Sequence, residues 1–176
     1  MLNKILVTYA SRAGSTADVA EAIGKTLTEN GIQVDVIPMQ DVKDLSNYRA
    51  VVAGSAIRAA KWLPEAAQFI QSHRAELAQK PFAMFTVCIT LAMSNAEQYR
   101  SAVRNWTAPM RAQVDPFSEG LFAGMLDFSK LPLNWDTLRL RATVALGIFP
   151  RGDRRDWNAI HAWAGSLIPK LKPVSA

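Results

Sequence analysis

Six consecutive positions, Ser11-Arg12-Ala13-Gly14-Ser15-Thr16, place three hydroxyls, one glycine and one guanidinium between an apolar run, Ile5-Leu6-Val7, and a segment of helical spacing. Hydroxyls and a cation at a strand-to-helix junction suit an anion. The loop amides and the free N–H groups of the helix's first turn point at one spot and carry the positive end of the helix dipole. Gly14 lets the backbone approach closely, and Ser11, Ser15 and Thr16 add donors, so a phosphate monoester fits this chemistry. A P-loop needs a Lys before its Ser/Thr and a longer glycine-rich turn, and a dinucleotide fingerprint needs GxGxxG; the stretch has neither. The same residues also suit an ordinary strand-to-helix turn in which Ser15 or Thr16 is only the N-cap.

Positioning that loop requires a strand, a helix and a sheet. Val19, Ala20, Ile23 and Leu27 share one face of a helix over 17–27. Asn30-Gly31 stops it, Ile32 to Ile37 alternates as a second strand, and Pro38 ends that strand. Ala50 to Gly54 reads as a short strand buried on both faces, followed by a small-residue loop, Gly54-Ser55-Ala56-Ile57-Arg58. Leu63 to Leu77 is predicted as one helix with Pro64 in its first turn. Phe82 to Cys88 is the next strand and Ile89 to Asn95 a third loop. Ala96 to Met110 is a helix, and Phe117 to Leu126 a strand in which Gly120 and Gly124 mark a bulge or a close approach. Strands alternating with helices imply right-handed crossovers and a parallel sheet covered on both faces. In such sheets ligands lie beyond the C-terminal strand ends where the strand order reverses. The loops at 11–16, 55–62 and 88–95 all end strands.

The chain of 176 residues, 49% hydrophobic, is expected to form a single domain with a substantial core. No apolar run approaches the roughly 20 residues that cross a bilayer. The N-terminus shows no h-region or cleavage pattern, so a cytoplasmic location is expected. One cysteine, Cys88, excludes an internal disulfide, and two distant histidines, His73 and His161, give no metal cluster. The net charge of +5 is unevenly placed: residues 1–99 hold nine Lys/Arg and nine Asp/Glu, residues 100–176 eleven and six. A basic C-terminal part suits an acidic ligand or an anionic membrane face as well as a plain solvated surface. Nucleic acid is not expected as a partner, because no helix gathers Arg and Lys on one face.

A segment at about 127–150 exceeds what a minimal five-stranded sheet needs. In it Trp135, Leu138, Ala142, Ala145, Leu146 and Phe149 form one helical stripe and Leu140, Val144 and Ile148 a second, with Arg139 and Arg141 between them. A helix apolar nearly all round is covered by its own domain's core, by a partner subunit or by lipid. The last helix, Trp157 to Leu171, takes Asp153 or Asp156 as its N-cap and packs beside the first.

With these loops placed, the sequence resembles the flavodoxin-like FMN proteins of the menaquinone-dependent protoporphyrinogen oxidase type. The likeness rests on Tyr9 to Thr16, Gly54 to Arg58, Phe122-Ala123-Gly124, the inserted segment, and Gly152-Asp153 to Asp156-Trp157. It implies a flavodoxin-like doubly wound α/β fold: a five-stranded parallel sheet with helices on both faces and a long insert near the fifth strand. It also implies FMN as cofactor. By position, Ser11, Arg12, Ala13, Gly14, Ser15 and Thr16 would hold the FMN phosphate, while Ala56, Ile57 and Arg58 would line the isoalloxazine ring. Thr86, Val87, Cys88, Ile89 and Thr90 would line its other edge. The chemistry would be the flavin's own. Arg58 would stabilise the reduced ring or pair with a substrate carboxylate, or be a surface arginine only. Trp62 either stacks on the ring or covers core. Cys88 reads as a small buried residue rather than a redox thiol.

The resemblance thus points to an FMN-dependent oxidoreductase passing electrons from a porphyrinogen-type substrate to a quinone, with peripheral contact at the inner membrane face through the insert and basic C-terminal part. The alternative is a flavodoxin-type soluble electron carrier with a protein redox partner. An oligomer is compatible with either. A receiver domain shares the strand order but needs an acidic pair after the first strand, where Ala10-Ser11 stand. The family's aromatic after Arg58 is here Ala59, and the 89–95 loop lacks the basic residues often found there, which bears on the choice of substrate.

Overall fold

The structure, a computed structural model, describes residues 4–93, 96–126, 135–147 and 152–172. Five parallel strands form its sheet in the order β2 (Gln33–Pro38), β1 (Lys4–Ala10), β3 (Tyr48–Arg58), β5 (Phe82–Cys88), β6 (Ser118–Ala123), with a short strand β4 (Lys61–Trp62) pairing antiparallel to β3. The order reverses between β1 and β3. This is the doubly wound α/β arrangement expected of the alternating pattern.

Both faces of the sheet are covered, which is why β1, β3 and β5 are apolar nearly throughout. On one face α1 (Ser15–Glu29) and α6 (Trp157–Leu171) bury Val19, Ile23, Leu27, Ile160 and Leu167 against Ile5, Val7, Val52 and Phe85. Each such side chain contributes about 1.5–3 kcal/mol on burial. The other face carries α2 (Pro64–Ser72), α3 (Arg74–Leu77) and α4 (Ala96–Val114). There Phe69, Ile70, Leu77 and Val114 meet Leu6, Val51 and Met84. A smaller cluster of Cys88, Leu91, Val103 and Leu121 closes the β5–β6 end.

Four elements differ from the sequence expectation. The stretch 54–58 is strand, not loop: β3 runs on to Arg58 and folds back through Ala59 and Ala60, both left-handed at φ 49° and 58°, so that Ile57 pairs Trp62. Its glycine and alanines looked loop-like, but Gly54 is small for packing, since a Cβ there would lie 2.1 Å from the Phe85 ring. The expected helix 63–77 breaks at His73 into α2 and α3. The helix from Ala96 passes Pro109 and ends at Val114. The expected strand 117–126 splits at Gly124, after which β7 (Met125–Leu126) leaves the sheet and pairs antiparallel with β8 (Gly152–Asp153). A Cβ at Gly124 would make ordinary contact, 3.5 Å from the Ile89 nitrogen, so this passage does not itself require a glycine.

Within the insert, α5 (Trp135–Ala145) buries Val144 but leaves Trp135, Leu138 and the adjoining Leu146 at 76, 49 and 76% exposure. The second predicted stripe therefore faces protein at Val144, and the first is uncovered at these positions. Ile148 and Phe149 lie outside the described residues. Among the described residues no helix is long and apolar enough to cross a membrane.

Candidate functional site

Parallel register brings the strand ends to one level: Ala10 pairs Ser55, Ala56 pairs Val87, and Cys88 pairs Ala123. The loops leaving β1, β3 and β5 therefore meet at one edge of the sheet, around the reversal of strand order.

In the first of these loops Gly14 takes φ +86° as the N-cap residue of α1, and no side chain caps the helix there. The Ser11 hydroxyl instead accepts the Gly14 N–H at 3.1 Å, folding the loop over. The first-turn N–H groups of α1 thus lack intrahelical acceptors, and among the described residues no side chain caps them. At α6, by contrast, Asp156 accepts the Ala159 N–H as an ordinary cap. Ser15 and Thr16 are buried, at 9 and 1% exposure. Ser15 Oγ accepts the Met125 N–H at 3.0 Å, which leaves its hydroxyl hydrogen to donate elsewhere.

Charge around the loop is paired. Arg12 forks onto Glu65 in the first turn of α2 at 2.5 and 2.9 Å. Asp18, in the first turn of α1, meets Arg155 at 2.7 Å, and Arg155 also holds Asp153 at 2.6 Å. Hydrogen bonding from Arg155 holds the Asp153 carboxyl below its ordinary range, and the same bonds raise the guanidinium's own pKa. A pocket of about 250 Å³ opens beside the loop, lined by Tyr9, Ala10, Ser11, Gly14, Pro38, Met39, Gln40 and Glu65 among others. Burial, then Glu21, Asp41 and Asp18, push the Tyr9 phenol up, so it stays a neutral hydroxyl at neutral pH.

The third and fifth strands supply the rest. Ala56 and Ile57 are half-buried on β3 and Arg58 is exposed at its tip, while Ile89 and Thr90, half-buried, begin the turn after β5. Ser55 fixes the hairpin base by accepting the Leu63 N–H and donating to the Ala56 carbonyl. Thr86, Val87 and Cys88 are buried below the edge. Trp62 is 5% exposed and its indole N–H donates to Thr86 Oγ1 at 3.0 Å, so its ring covers core and offers no face for stacking. The 250 Å³ pocket lies with Ser11 and Gly14 on the β2 side of β1, whereas 56–58 and 89–90 stand on the β3 and β5 side.

Sequence reasoning missed Glu65, Met125, Asp18 and Arg155. Each reaches the loop from at least one partner far along the chain, as in Arg155 with Asp18, and no local pattern signals such contacts. The stretch around Arg155, Gly152-Asp153 to Asp156-Trp157, was singled out for its capping aspartates and through the family likeness, but not for a contact with the loop.

The chain is 30% identical over 131 residues to a protein named protoporphyrinogen IX dehydrogenase [quinone] from Escherichia coli (strain K12), covering 72% of this chain and 71% of that protein. The protein of the same name from Leishmania major is 25% identical over 126 residues, 70% of this chain and 54% of that one. Among solved structures, a short-chain flavodoxin associated with a non-canonical PDU bacterial microcompartment superposes with a TM-score of 0.61 at 14% identity, covering 98% of this chain and 100% of that chain. A Streptococcus pneumonia TIGR4 flavodoxin gives 0.54 at 14% identity, covering 95 and 99%. The flavodoxin domain family matches residues 6–138, and with the parallel 2-1-3-5-6 sheet and the strand-end loops in place, this chain belongs to that family.

Proposed function

We propose that this chain is an FMN-dependent oxidoreductase that passes electrons from a porphyrinogen-type substrate to a quinone. The observation that carries the reading is the end of α1: it has no side-chain cap, follows a glycine at φ +86°, and is flanked by buried Ser15 and Thr16. These features fit a phosphate ester, whose oxygens would take the first-turn N–H groups that the protein leaves without acceptors. The similarity to a quinone-dependent protoporphyrinogen dehydrogenase over most of the chain supports the choice of donor and acceptor.

In this reading Ser11, Arg12, Ala13, Gly14, Ser15 and Thr16 hold the phosphate. Bound flavin supplies the two-electron chemistry. Ala56, Ile57, Ile89 and Thr90 offer partly exposed edges against which a flat ring can exclude water, while Thr86, Val87, Cys88 and Trp62 support them from below. Arg58, at the hairpin tip, is placed to attract a substrate propionate. Exposed Trp135, Leu138 and Leu146, with exposed Arg139 among them, support peripheral contact with an anionic membrane at the inner face.

The test is an absorbance titration with FMN, then anaerobic addition of protoporphyrinogen and reoxidation by a menaquinone analogue. Flavin bands that bleach and return are the expected result. Bound flavin that stays oxidised with protoporphyrinogen overturns the substrate and leaves an electron carrier with a protein partner. Failure to bind FMN overturns the whole reading.

A further inference from the structure

Arg155 has a side chain only 6% exposed, although it sits outside the sheet core. Its guanidinium reaches Asp18 Oδ2 at 2.7 Å and Asp153 Oδ1 and Oδ2 at 2.8 and 2.6 Å. It also approaches the Ser15 carbonyl at 3.5 Å and the Met125 sulfur at 3.7 Å, and it lies 4.4 Å from the centre of the Trp157 ring. Alongside, the Met125 N–H donates to Ser15 Oγ. One arginine thus ties the first turn of α1 to both strands of the β7–β8 ribbon, from which the insert departs.

We propose that Arg155 is a positioning residue for the phosphate loop: by holding the β7–β8 ribbon on the first turn of α1, it fixes Ser15 as an anion donor and couples anion binding to ribbon placement. The inference rests on the reading of residues 11–16 as the FMN phosphate site. A serine oxygen that accepts a backbone N–H must turn its own hydrogen elsewhere, and each bond in such a chain polarises the next. Met125 N–H to Ser15 Oγ to phosphate is one such chain, present only while the ribbon is docked. Coupling is reciprocal, so an anion at Ser15 must in turn steady the ribbon. A second effect of Arg155, neutralising Asp18 beside the site, is separable because Asp18 can be changed alone.

The experiment compares FMN with riboflavin, which lacks the phosphate, on wild type, Arg155→Met and Arg155→Met with Asp18→Asn. Wild type should prefer FMN. In Arg155→Met the FMN affinity should fall about tenfold or more while riboflavin stays within about twofold, and Asp18→Asn should not restore it. Equal loss for both ligands would mean a structural role only, and full restoration by Asp18→Asn would mean charge screening only; either overturns the proposal, as does unchanged FMN binding. Amide exchange in wild type gives a readout independent of any variant's folding. The Met125 N–H should exchange several-fold more slowly with FMN than with riboflavin, and equal rates overturn the coupling. Wild type that binds FMN no better than riboflavin marks failure of the phosphate reading itself, seen before any variant is made.

Discussion

A buried indole N–H needs an acceptor, and Trp62 has the Thr86 hydroxyl at 3.0 Å. Trp62→Phe removes that donor from a site where both partners are buried, so stability in urea should fall by about 1–3 kcal/mol. Flavin affinity should stay within about twofold, because the ring is covered; a large loss of affinity would put Trp62 back at the cofactor. Ser15 and Thr16 carry the opposite expectation. Replacing both with Ala removes two donors worth about 1.5–3 kcal/mol each toward a charged acceptor, so FMN binding should weaken by at least about tenfold while riboflavin changes little. At this scale the hydroxyls and glycine of 11–16 were readable because residue type alone carries their chemistry. Arg12 was readable as a cation but not as the partner of Glu65, 53 residues away, since an ion pair between distant segments leaves no trace in either one.

Elements show the same division. Of β1 only Ile5-Leu6-Val7 was legible, though the strand runs on to Ala10, whereas the strand β5 and the helix α6 were legible to the residue, because a continuous apolar run and a capped amphipathic period are local signals. The β3–β4 hairpin was not, since small residues between a strand and a helix suggest a loop unless the Phe85 ring over Gly54 is known. Its turn is held by two alanines in the left-handed region, which costs roughly 1–2 kcal/mol per residue for a side chain with a Cβ. Ala59→Asn with Ala60→Gly supplies the residues such turns prefer, so thermal or urea unfolding should show a gain of about 1 kcal/mol. A loss would mean that the hairpin tip is held by contacts outside the turn. The β7–β8 ribbon answers to pH instead. Arg155 holds the Asp153 carboxyl below its ordinary value, so this contribution is complete above that value and is lost as pH falls through the lowered one. Acid should therefore loosen the ribbon only below about pH 4, seen as faster exchange at Met125, and Asp153→Asn should remove that step.

Across the whole molecule, charge and apolar surface are divided between two parts of the chain. The first 99 residues are balanced and build most of the sheet, whereas the excess of Lys and Arg falls after residue 99, where α5 also exposes Trp135 and Leu138, with Leu146 exposed just after it. Where exposed apolar side chains stand beside arginines, as with Arg139 and Arg141 on α5, binding to an anionic bilayer would have two contributions: buried apolar side chains, and about 1 kcal/mol for each Lys or Arg near the headgroups. Co-sedimentation with vesicles should show binding to phosphatidylglycerol-containing bilayers, weak binding to neutral phosphatidylcholine, and release as salt is raised, because surface charges more than about 8 Å apart are screened at physiological ionic strength. Trp135→Ser with Leu138→Ser should reduce binding to both vesicle types without changing FMN affinity, since the apolar contribution does not depend on lipid charge and neither residue belongs to the phosphate loop at 11–16. Equal binding of the wild type to neutral and anionic vesicles would remove the electrostatic half of the argument. An unchanged double variant would show that α5's exposed stripe meets something other than lipid.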